Sequence, residues 1–335
     1  MTTPRPLAVL LSRLLLASLA AAPVSAQDGA STLAANLDAA DAVVVANVAE
    51  HAASPEGLLR VRMVVAATLT AGAPAAFTLV EPAGACCGRS LFALQPGDTR
   101  LAFLRRQGAT WHVVGGPRGL LPSTDAIVAH VRRLATHRSG PARTTVLLEA
   151  LTAAEPRIAD DAAWALAGQP ELALDAAGRA RVGESLDREL ARRSARAAPL
   201  LEITARVADA GLRDALLARY LASPHDDEAA LLANSLLRTP VAGTVELAMA
   251  GARDERSGLR AAALAAGLET DAAIAACFRM LPRAPSPRVQ LRLCEELLDR
   301  GVPAAQLRAA PAPIVETAQK RVAARSAVRT TKETR

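Results

Sequence analysis

Residues 211–300 decide the fold of this chain, because one helical pattern occurs there three times in blocks of equal length. The blocks read GLRDALLARYLASPHDDEAALLANSLLRTP (211–240), VAGTVELAMAGARDERSGLRAAALAAGLET (241–270) and DAAIAACFRMLPRAPSPRVQLRLCEELLDR (271–300). Each block predicts two short helices around a polar turn. Equivalent positions stay apolar, namely Leu217, Leu247 and Cys277 in the first helix and Ala229, Leu259, Val289, Leu231, Ala261 and Leu291 in the second.

The turns inside the blocks carry signals for the start of a helix. Ser223-Pro224 and Ser286-Pro287 each predict a hydroxyl at the N-cap and a proline at the first helical position, where its missing N–H costs nothing. Residues 226–228 are acidic, as the helix dipole favours in a first turn. Helices this short are unstable alone in water, so each must bury its apolar stripe against its neighbours, as in a stacked solenoid.

Upstream of the repeats, residues 41–114 show a strand pattern. Arg60 and Arg62 alternate with Leu59, Val61 and Met63, and this period of two predicts a strand over residues 58–65. Four further short apolar runs, separated by turn clusters, lie at residues 43–48, 76–80, 100–104 and 110–114. Five short strands in this length favour a small closed barrel or a sandwich.

Residues 1–26 have the features of a secretory signal peptide. Arg5 and Arg13 provide the charged lead, residues 14–22 are apolar, and Val24-Ser25-Ala26 forms a small-residue cleavage site. We therefore expect a mature chain that begins near Gln27, is exported to the periplasm or secreted, and contains no membrane span. The alternative is an uncleaved anchor helix.

Two stretches resemble known families. Residues 87–92 (CGRSLF), 96–98 (PGD) and 101–104 (LAFL) resemble the core of netrin-like domains, the OB-type barrel shared with tissue inhibitors of metalloproteinases. In those inhibitors an N-terminal cysteine contacts the zinc of the target, whereas the expected mature end here is Gln27. The helical half is similar to short HEAT-like repeats, with residues 254–264 as the best match.

These resemblances imply an α+β protein of two domains, with a small five-stranded OB-type β-barrel followed by an α-solenoid of helical hairpins. The expected order is a signal peptide (1–26), the netrin-like barrel (27–122), a connecting helix (123–140), HEAT-like repeats (141–310) and a basic C-terminal tail (311–335).

Composition excludes some function classes. The chain has 335 residues but only four Phe, two Trp and one Tyr, too few for the stacking surfaces that single-stranded nucleic acids need. The net charge of +6 also does not indicate a nucleic-acid site, because six basic groups and one acidic group lie within residues 320–335. These residues are expected to form a frayed, solvated end.

Four cysteines in an exported chain suggest disulfides. Cys277 and Cys294 lie nearly equidistant from the turn at residues 283–286, so they are either bonded across one helical hairpin or packed as two buried thiols. Cys86 and Cys87 are adjacent, and a bond between them would close a strained ring. They are either reactive or metal-capturing thiols, or structural thiols that are unpaired or bonded to another chain.

No catalytic, cofactor or metal motif is found. The five histidines show no zinc spacing, although His130 and His137 are one heptad apart. The acidic residues after His225 are interpreted as the first turn of a helix. The glycine-rich run at 115–119 is interpreted as a turn that closes the barrel, and the arginines at 188–196 as part of an ion-paired surface. We expect no enzyme and no cofactor.

The sequence thus predicts a non-catalytic exported module that binds a protein or peptide partner in the cell envelope or outside it, because solenoids offer extended surfaces. Neither a nucleic acid nor a membrane is an expected partner. One alternative is an inhibitor of an exported hydrolase that acts through the netrin-like domain, and another is a thiol- or metal-dependent site at Cys86 and Cys87.

Overall fold

A computed structural model describes residues 32–53, 58–82, 94–207, 209–239 and 243–333. The chain divides into two compact units. The N-terminal unit ends at Leu200 and the C-terminal unit starts at Leu201. The coarse layout is an antiparallel sheet followed by a helical region, which confirms the expected α+β class.

The five predicted strands are present. They are β1 (Ala42–Ala53), β2 (Leu58–Thr68), β3 (Ala76–Pro82), β4 (Thr99–Gln107) and β5 (Thr110–Val113), and a short sixth strand, β6 (Leu120–Pro122), follows. All pairings are antiparallel, in the order β3-β2-β1-β4-β5, with β6 paired to β4. The return of β4 to the side of β1 after the β1–β3 meander is a Greek-key connection.

The sheet is curled into a half-barrel. Two register irregularities, at Val45/Ala46 and at Val48/Glu50, interrupt the pairing of β1 with β2, and such bulges bend a strand. The edge strands β3 and β5 contact each other. The concave side buries an apolar core of Ala42, Val44, Ala46, Val48, Val61, Met63, Phe77, Leu79, Leu94, Ala102, Leu104 and Leu120.

A glycine turn follows β5, as the sequence predicts, and leads to β6, a strand that the sequence did not predict. Gly115 and Gly116 have φ values of 73° and 56°, a left-handed conformation that favours glycine. A 3₁₀ turn over Gly116–Gly119 follows, and a Cβ at Gly119 would collide with the carbonyl oxygen of Val114. Glycine is therefore required here by backbone geometry.

A short helix that the sequence analysis did not predict covers the sheet. This helix, α1 (Leu33–Ala39), begins at the N-cap Thr32 and contacts β4. Leu101 and Phe103 of β4 alternate with the interior residues Ala102 and Leu104, yet all four are buried. The contact with α1 explains why β4 is apolar on both faces.

Buried charges fix α1 to the helices that follow the sheet. Arg143 donates two hydrogen bonds of 2.7 Å to the two carboxylate oxygens of Asp38, and a third to the carbonyl of Ala34. Asp161, which is almost fully buried, accepts a hydrogen bond from the backbone N–H of Leu33. Two helices from later in the chain therefore hold this short helix in place.

The helices after the sheet in the N-terminal unit are α2 (Asp125–Thr136), α3 (Gly140–Ala150), α4 (Pro156–Ala167) and α5 (Ala176–Ala191). Helix α1 contacts α2 and α4, and α3 contacts α2, α4 and α5. Helix α6 (Ala197–Arg206) contains the boundary between the two units.

The C-terminal unit confirms two helices in each quoted block. These are α7 (Ala210–Ala222) and α8 (Asp226–Arg238), α9 (Thr244–Gly251) and α10 (Glu255–Ala266), and α11 (Thr270–Met280) and α12 (Pro287–Asp299). The N-cap is confirmed at Ser286 but is wrong at Ser223, which ends α7. Helix α8 instead starts after His225, and the Ser223 hydroxyl donates to the carboxylate of Glu228.

The repeat is not strictly periodic. The second helices of the three blocks start at Asp226, Glu255 and Pro287, so blocks of equal length lose register by one or two positions. Leu231 and Leu247 occupy apolar positions of the pattern but are 49% and 40% exposed. The buried stripe of α8 instead contains Leu232 and Leu236.

Neighbouring hairpins pack through close approaches at glycine. Between hairpins, α7 contacts α9 and α10, α9 contacts α11, and α10 contacts α11 and α12. A Cβ at Gly251 would lie 2.8 Å from the Leu221 side chain, and one at Gly258 would lie 2.6 Å from the Pro285 ring. The end of the Leu221 side chain can move aside, whereas the Pro285 ring is rigid. Glycine at position 258 therefore allows the close approach of the two hairpins that meet there.

A buried tyrosine and a buried arginine connect α7 to α10. Tyr220 donates its hydroxyl hydrogen to the carbonyl of Arg260, and Arg260 donates to the carbonyl of Tyr220, each at 2.8 Å. The Arg260 guanidinium also lies 5.6 Å from the centre of the Tyr220 ring. Burial raises the pKa of Tyr220 to about 12, so the hydroxyl keeps its proton and remains a donor.

Residues expected to form a frayed tail instead form a long helix, α13 (Ala312–Glu333). Ala318 is fully buried, and the buried Glu295 of α12 binds both Arg321 (3.3 Å) and Arg325 (2.8 Å) of α13. Arg325 also pairs with Asp299 at 3.0 Å. Apolar burial and a shared carboxylate therefore order a segment that is highly charged in sequence.

A substitution at the tightest glycine tests the packing between hairpins. We expect Gly258→Leu to lower the free energy of unfolding by about 1–3 kcal/mol, because the new side chain would overlap Pro285 and Val289. The matched control is Ala263→Leu on the exposed side of the same helix, with a change of about 0.5 kcal/mol or less. Equal effects in urea titrations of the two variants would contradict the close approach.

Candidate functional site

The cysteines offer no active thiol in the described part of the chain. Cys277 and Cys294 are fully buried separate thiols that are not at disulfide distance, which is the second of the two arrangements open from sequence. Burial, with Glu296 as a further contribution, raises the pKa of Cys277 to about 11. Burial and the nearby Glu295 also raise the pKa of Cys294 to about 11. Cys86 and Cys87 lie outside the described residues.

The histidines are scattered rather than clustered. His51 is on β1, His112 is on β5 and His225 precedes α8, all exposed. His130 is buried within α2, whereas His137 caps the end of the same helix and is exposed. The described residues contain no group of three or more His, Cys, Asp or Glu that could hold a metal ion.

Other charged clusters have structural partners. Glu228, in the acidic first turn of α8, pairs with Arg219 at 2.5 Å. In the arginine-rich stretch before α6, Arg196 pairs with Asp160 at 2.5 Å and with the buried Glu189 at 3.2 Å. These groups stabilise helix ends and helix–helix contacts.

Two open grooves lie in the described part of the C-terminal unit. The leucine groove, about 210 Å³, lies where the end of α8, the start of α9 and the end of α10 meet. Its apolar lining is Leu236, Leu237, Val245, Leu264 and Leu268. Leu237 is 37% exposed and packs over Gly267, so it is available at the surface.

The second groove, the arginine groove, lies between α12 and α13 and has a volume of about 590 Å³. Leu291 and Ile314 supply apolar lining, and Pro287 and Pro313 mark the starts of the two helices. Pairing of Arg325 with Asp299 near the end of α12 shows that the two helices run in the same direction.

Arginines from both helices line the arginine groove. Arg288 is 71% exposed in its side chain and pairs with Glu255 at 3.0 Å. Arg321 is 59% exposed and shares the buried carboxylate of Glu295 with Arg325 and, at 3.9 Å, with Arg292. Arg292 and Arg325 have further acidic partners, Glu296 at 3.3 Å and Asp299 at 3.0 Å, so these ion pairs balance in charge. The described lining of the groove itself contains two arginines and no acidic residue.

No known protein family, no characterised protein and no solved structure gives a significant match to this chain. Within the described residues, none of the helices combines the length and the apolar character needed to cross a membrane. The function is therefore inferred from geometry and from the residues themselves.

Sequence reasoning placed no candidate in either groove. The apolar positions Ile314, Val315, Ala318 and Val322 follow a helical spacing that could have predicted α13, but the high charge of the segment favoured a frayed end. A groove between two helices that run in the same direction has no sequence signal, because it depends on how the connecting residues 300–311 turn.

Both buried cysteines should resist alkylation in the folded chain. At about pH 8 only about a thousandth of each thiol is ionised, given a pKa of about 11, and the side chains are closed to solvent. Iodoacetamide treatment followed by peptide mass spectrometry should leave Cys277 and Cys294 unmodified in buffer and modify both in guanidinium. Recovery of a Cys277–Cys294 disulfide, or labelling of either cysteine in buffer, would contradict the expectation that the two thiols are buried and not bonded to each other.

The buried His130 should destabilise the fold in acid. Burial, assisted by the charge of Arg133, lowers the pKa of His130 from 6.5 to about 4. The contribution of neutral His130 to the free energy of unfolding is therefore fully present above pH 6.5 and is lost as the pH falls to about 4. The loss amounts to about 3 kcal/mol.

Unfolding titrations at several pH values should show this loss in the native chain relative to His130→Leu. The exposed His137→Leu serves as the matched control and should follow the native profile. Burial raises the pKa of Asp161 to about 6, which adds stability as the pH falls, but this contribution is common to all three chains and cancels in the differences. Parallel profiles for the native chain and His130→Leu would contradict the expectation.

Proposed function

We propose that this chain is a non-catalytic exported protein-binding module, in which stacked helical hairpins of the α-solenoid type display apolar surface to a protein or peptide partner. The observation that carries the proposal is the set of exposed leucines, Leu231, Leu237 and Leu247, on the outside of packed hairpins. Exposed large apolar side chains favour a protein contact, and Leu237 also lines the leucine groove.

The order of helix contacts supports a solenoid. The first helices α7, α9 and α11 contact one another in chain order, and the second helices α10 and α12 contact each other. The last hairpin makes its most extensive contact with α13. Proteins built by such stacking commonly use an extended face for binding. The step from this arrangement to binding is an analogy between architectures.

The N-terminal unit supports the netrin-like, OB-type interpretation at the level of topology. The spatial order β3-β2-β1-β4 and the contact between β3 and β5 fit a small, partly open Greek-key barrel. Export to the periplasm or the exterior is proposed from the signal-like residues 1–26 alone.

Site-specific cross-linking tests this function. A photo-reactive benzoylphenylalanine replaces Leu231 or Leu247 in the full-length chain, which is expressed in its own host and irradiated in the isolated envelope fraction. We expect both positions to yield the same cross-linked protein, because both side chains are exposed on the same unit.

The matched control carries the same photo-reactive residue at Ala263, which is exposed on α10 but is not a large apolar side chain. This variant should not give the cross-linked product. If neither leucine position yields a product, or if all three positions yield the same set of proteins, the binding function is contradicted.

A further inference from the structure

The arginine groove combines an apolar lining with exposed positive charge from two helices. Leu291 and Ile314 lie between α12 and α13, and Arg288 and Arg321 project from one helix each. An apolar side chain that enters between the helices would therefore come within reach of two guanidinium groups. The leucine groove differs, because its lining among the described residues contains Glu246 and no arginine.

The two arginines keep hydrogen-bonding capacity for a ligand. Arg288 reaches Glu255 through Nη1, and Arg321 reaches Glu295 through Nη1. Each guanidinium has five N–H donors, and both side chains are more than half exposed. A carboxylate can therefore bind each of them without displacing the existing partner.

The lining of the groove favours an anionic ligand. Its charged members are Arg288 and Arg321, and none of its described members is acidic. Their partners Glu255 and Glu295 lie outside the lining, so the two arginines supply guanidinium donors for a carboxylate rather than an excess of charge. Helix α12 also starts at the groove, and the start of a helix has a positive dipole end.

We infer that the arginine groove is the docking site for an acidic peptide segment of the partner protein, with aliphatic side chains seated between α12 and α13 and carboxylates bound to Arg288 and Arg321. This inference rests on the proposed protein-binding function and adds the place and the chemistry of the partner.

The form of the site favours a peptide over an anionic lipid surface. Leu291 and Ile314 lie in a concave groove and are only partly exposed, so they receive side chains rather than insert into a bilayer. A membrane-binding helix presents a protruding apolar face. Among the described side chains of α13, Val328 is the one large apolar group that is clearly exposed.

Fluorescence anisotropy with a defined probe tests the site. The probe is a short fluorescent peptide of leucine, aspartate and glutamate, added to the purified mature chain that starts at Gln27. We expect binding that weakens as salt is raised, since exposed charge pairs are screened. A peptide with asparagine and glutamine in place of the acids, and one with serine in place of leucine, should each bind more weakly.

Variants then locate the site. Arg288→Gln and Arg321→Gln should each weaken binding by about fivefold. Thr317→Trp, at an exposed position in the groove, should block it without disturbing the fold. The matched control is Arg279→Gln on α11, which removes an ion-paired arginine of the same unit that is also more than half exposed, and it should leave binding unchanged.

The inference is overturned if the acidic peptide does not bind, if the neutral peptide binds equally well, or if Arg279→Gln weakens binding as much as Arg288→Gln. Binding to vesicles of anionic phospholipid, without binding to the peptide, would also overturn it. Cross-linking at Leu231 and Leu247 tests the binding function separately, so a product there together with a failed peptide assay would reject only this groove.

Discussion

Short helices set the main constraint on this protein. The six paired helices of the C-terminal unit are 8 to 13 residues long, and helices of this length gain too few internal hydrogen bonds to be stable in water. Each must bury one face against its neighbours. The close approaches at Gly251 and Gly258 and the reciprocal hydrogen bonds of Tyr220 and Arg260 show how neighbouring hairpins meet this requirement. Stability therefore depends on interfaces between hairpins.

The same constraint shapes the N-terminal unit. A curled sheet has two faces, and β4 is apolar on both. The inner face closes around the core of the half-barrel, and the outer face needs a cover, which the short helix α1 provides. Because α1 is too short to be stable alone, the buried contacts from Arg143 and Asp161 have to hold it in place. Sheet and helices in this unit therefore depend on each other.

The end of the hairpin series explains the arginine groove. The last hairpin has no successor among the described residues, and α13 covers α12 instead, held by the shared carboxylate of Glu295. A helix that runs in the same direction as α12 does not continue the pattern of the hairpins, and an open space remains near the starts of both helices. The charged residues that line this space are Arg288, which binds Glu255, and Arg321, which binds Glu295. The surface proposed for binding is thus a consequence of how the stack ends.

Local sequence determined the element types. Alternation predicted β2, and the paired helices of residues 211–300 followed from apolar spacing and from caps such as Ser286. Tertiary structure alone decided three features. Helix α1 exists because later helices bind it, and α13 is ordered because Glu295 of α12 binds its arginines. Leu231 is exposed because the face of α8 that packs against its neighbours is the one with Ala229, Leu232 and Leu236. Periodicity and caps act within a few residues of the chain, whereas burial and ion pairing join residues distant in sequence, and a short or highly charged segment gains its structure from those partners.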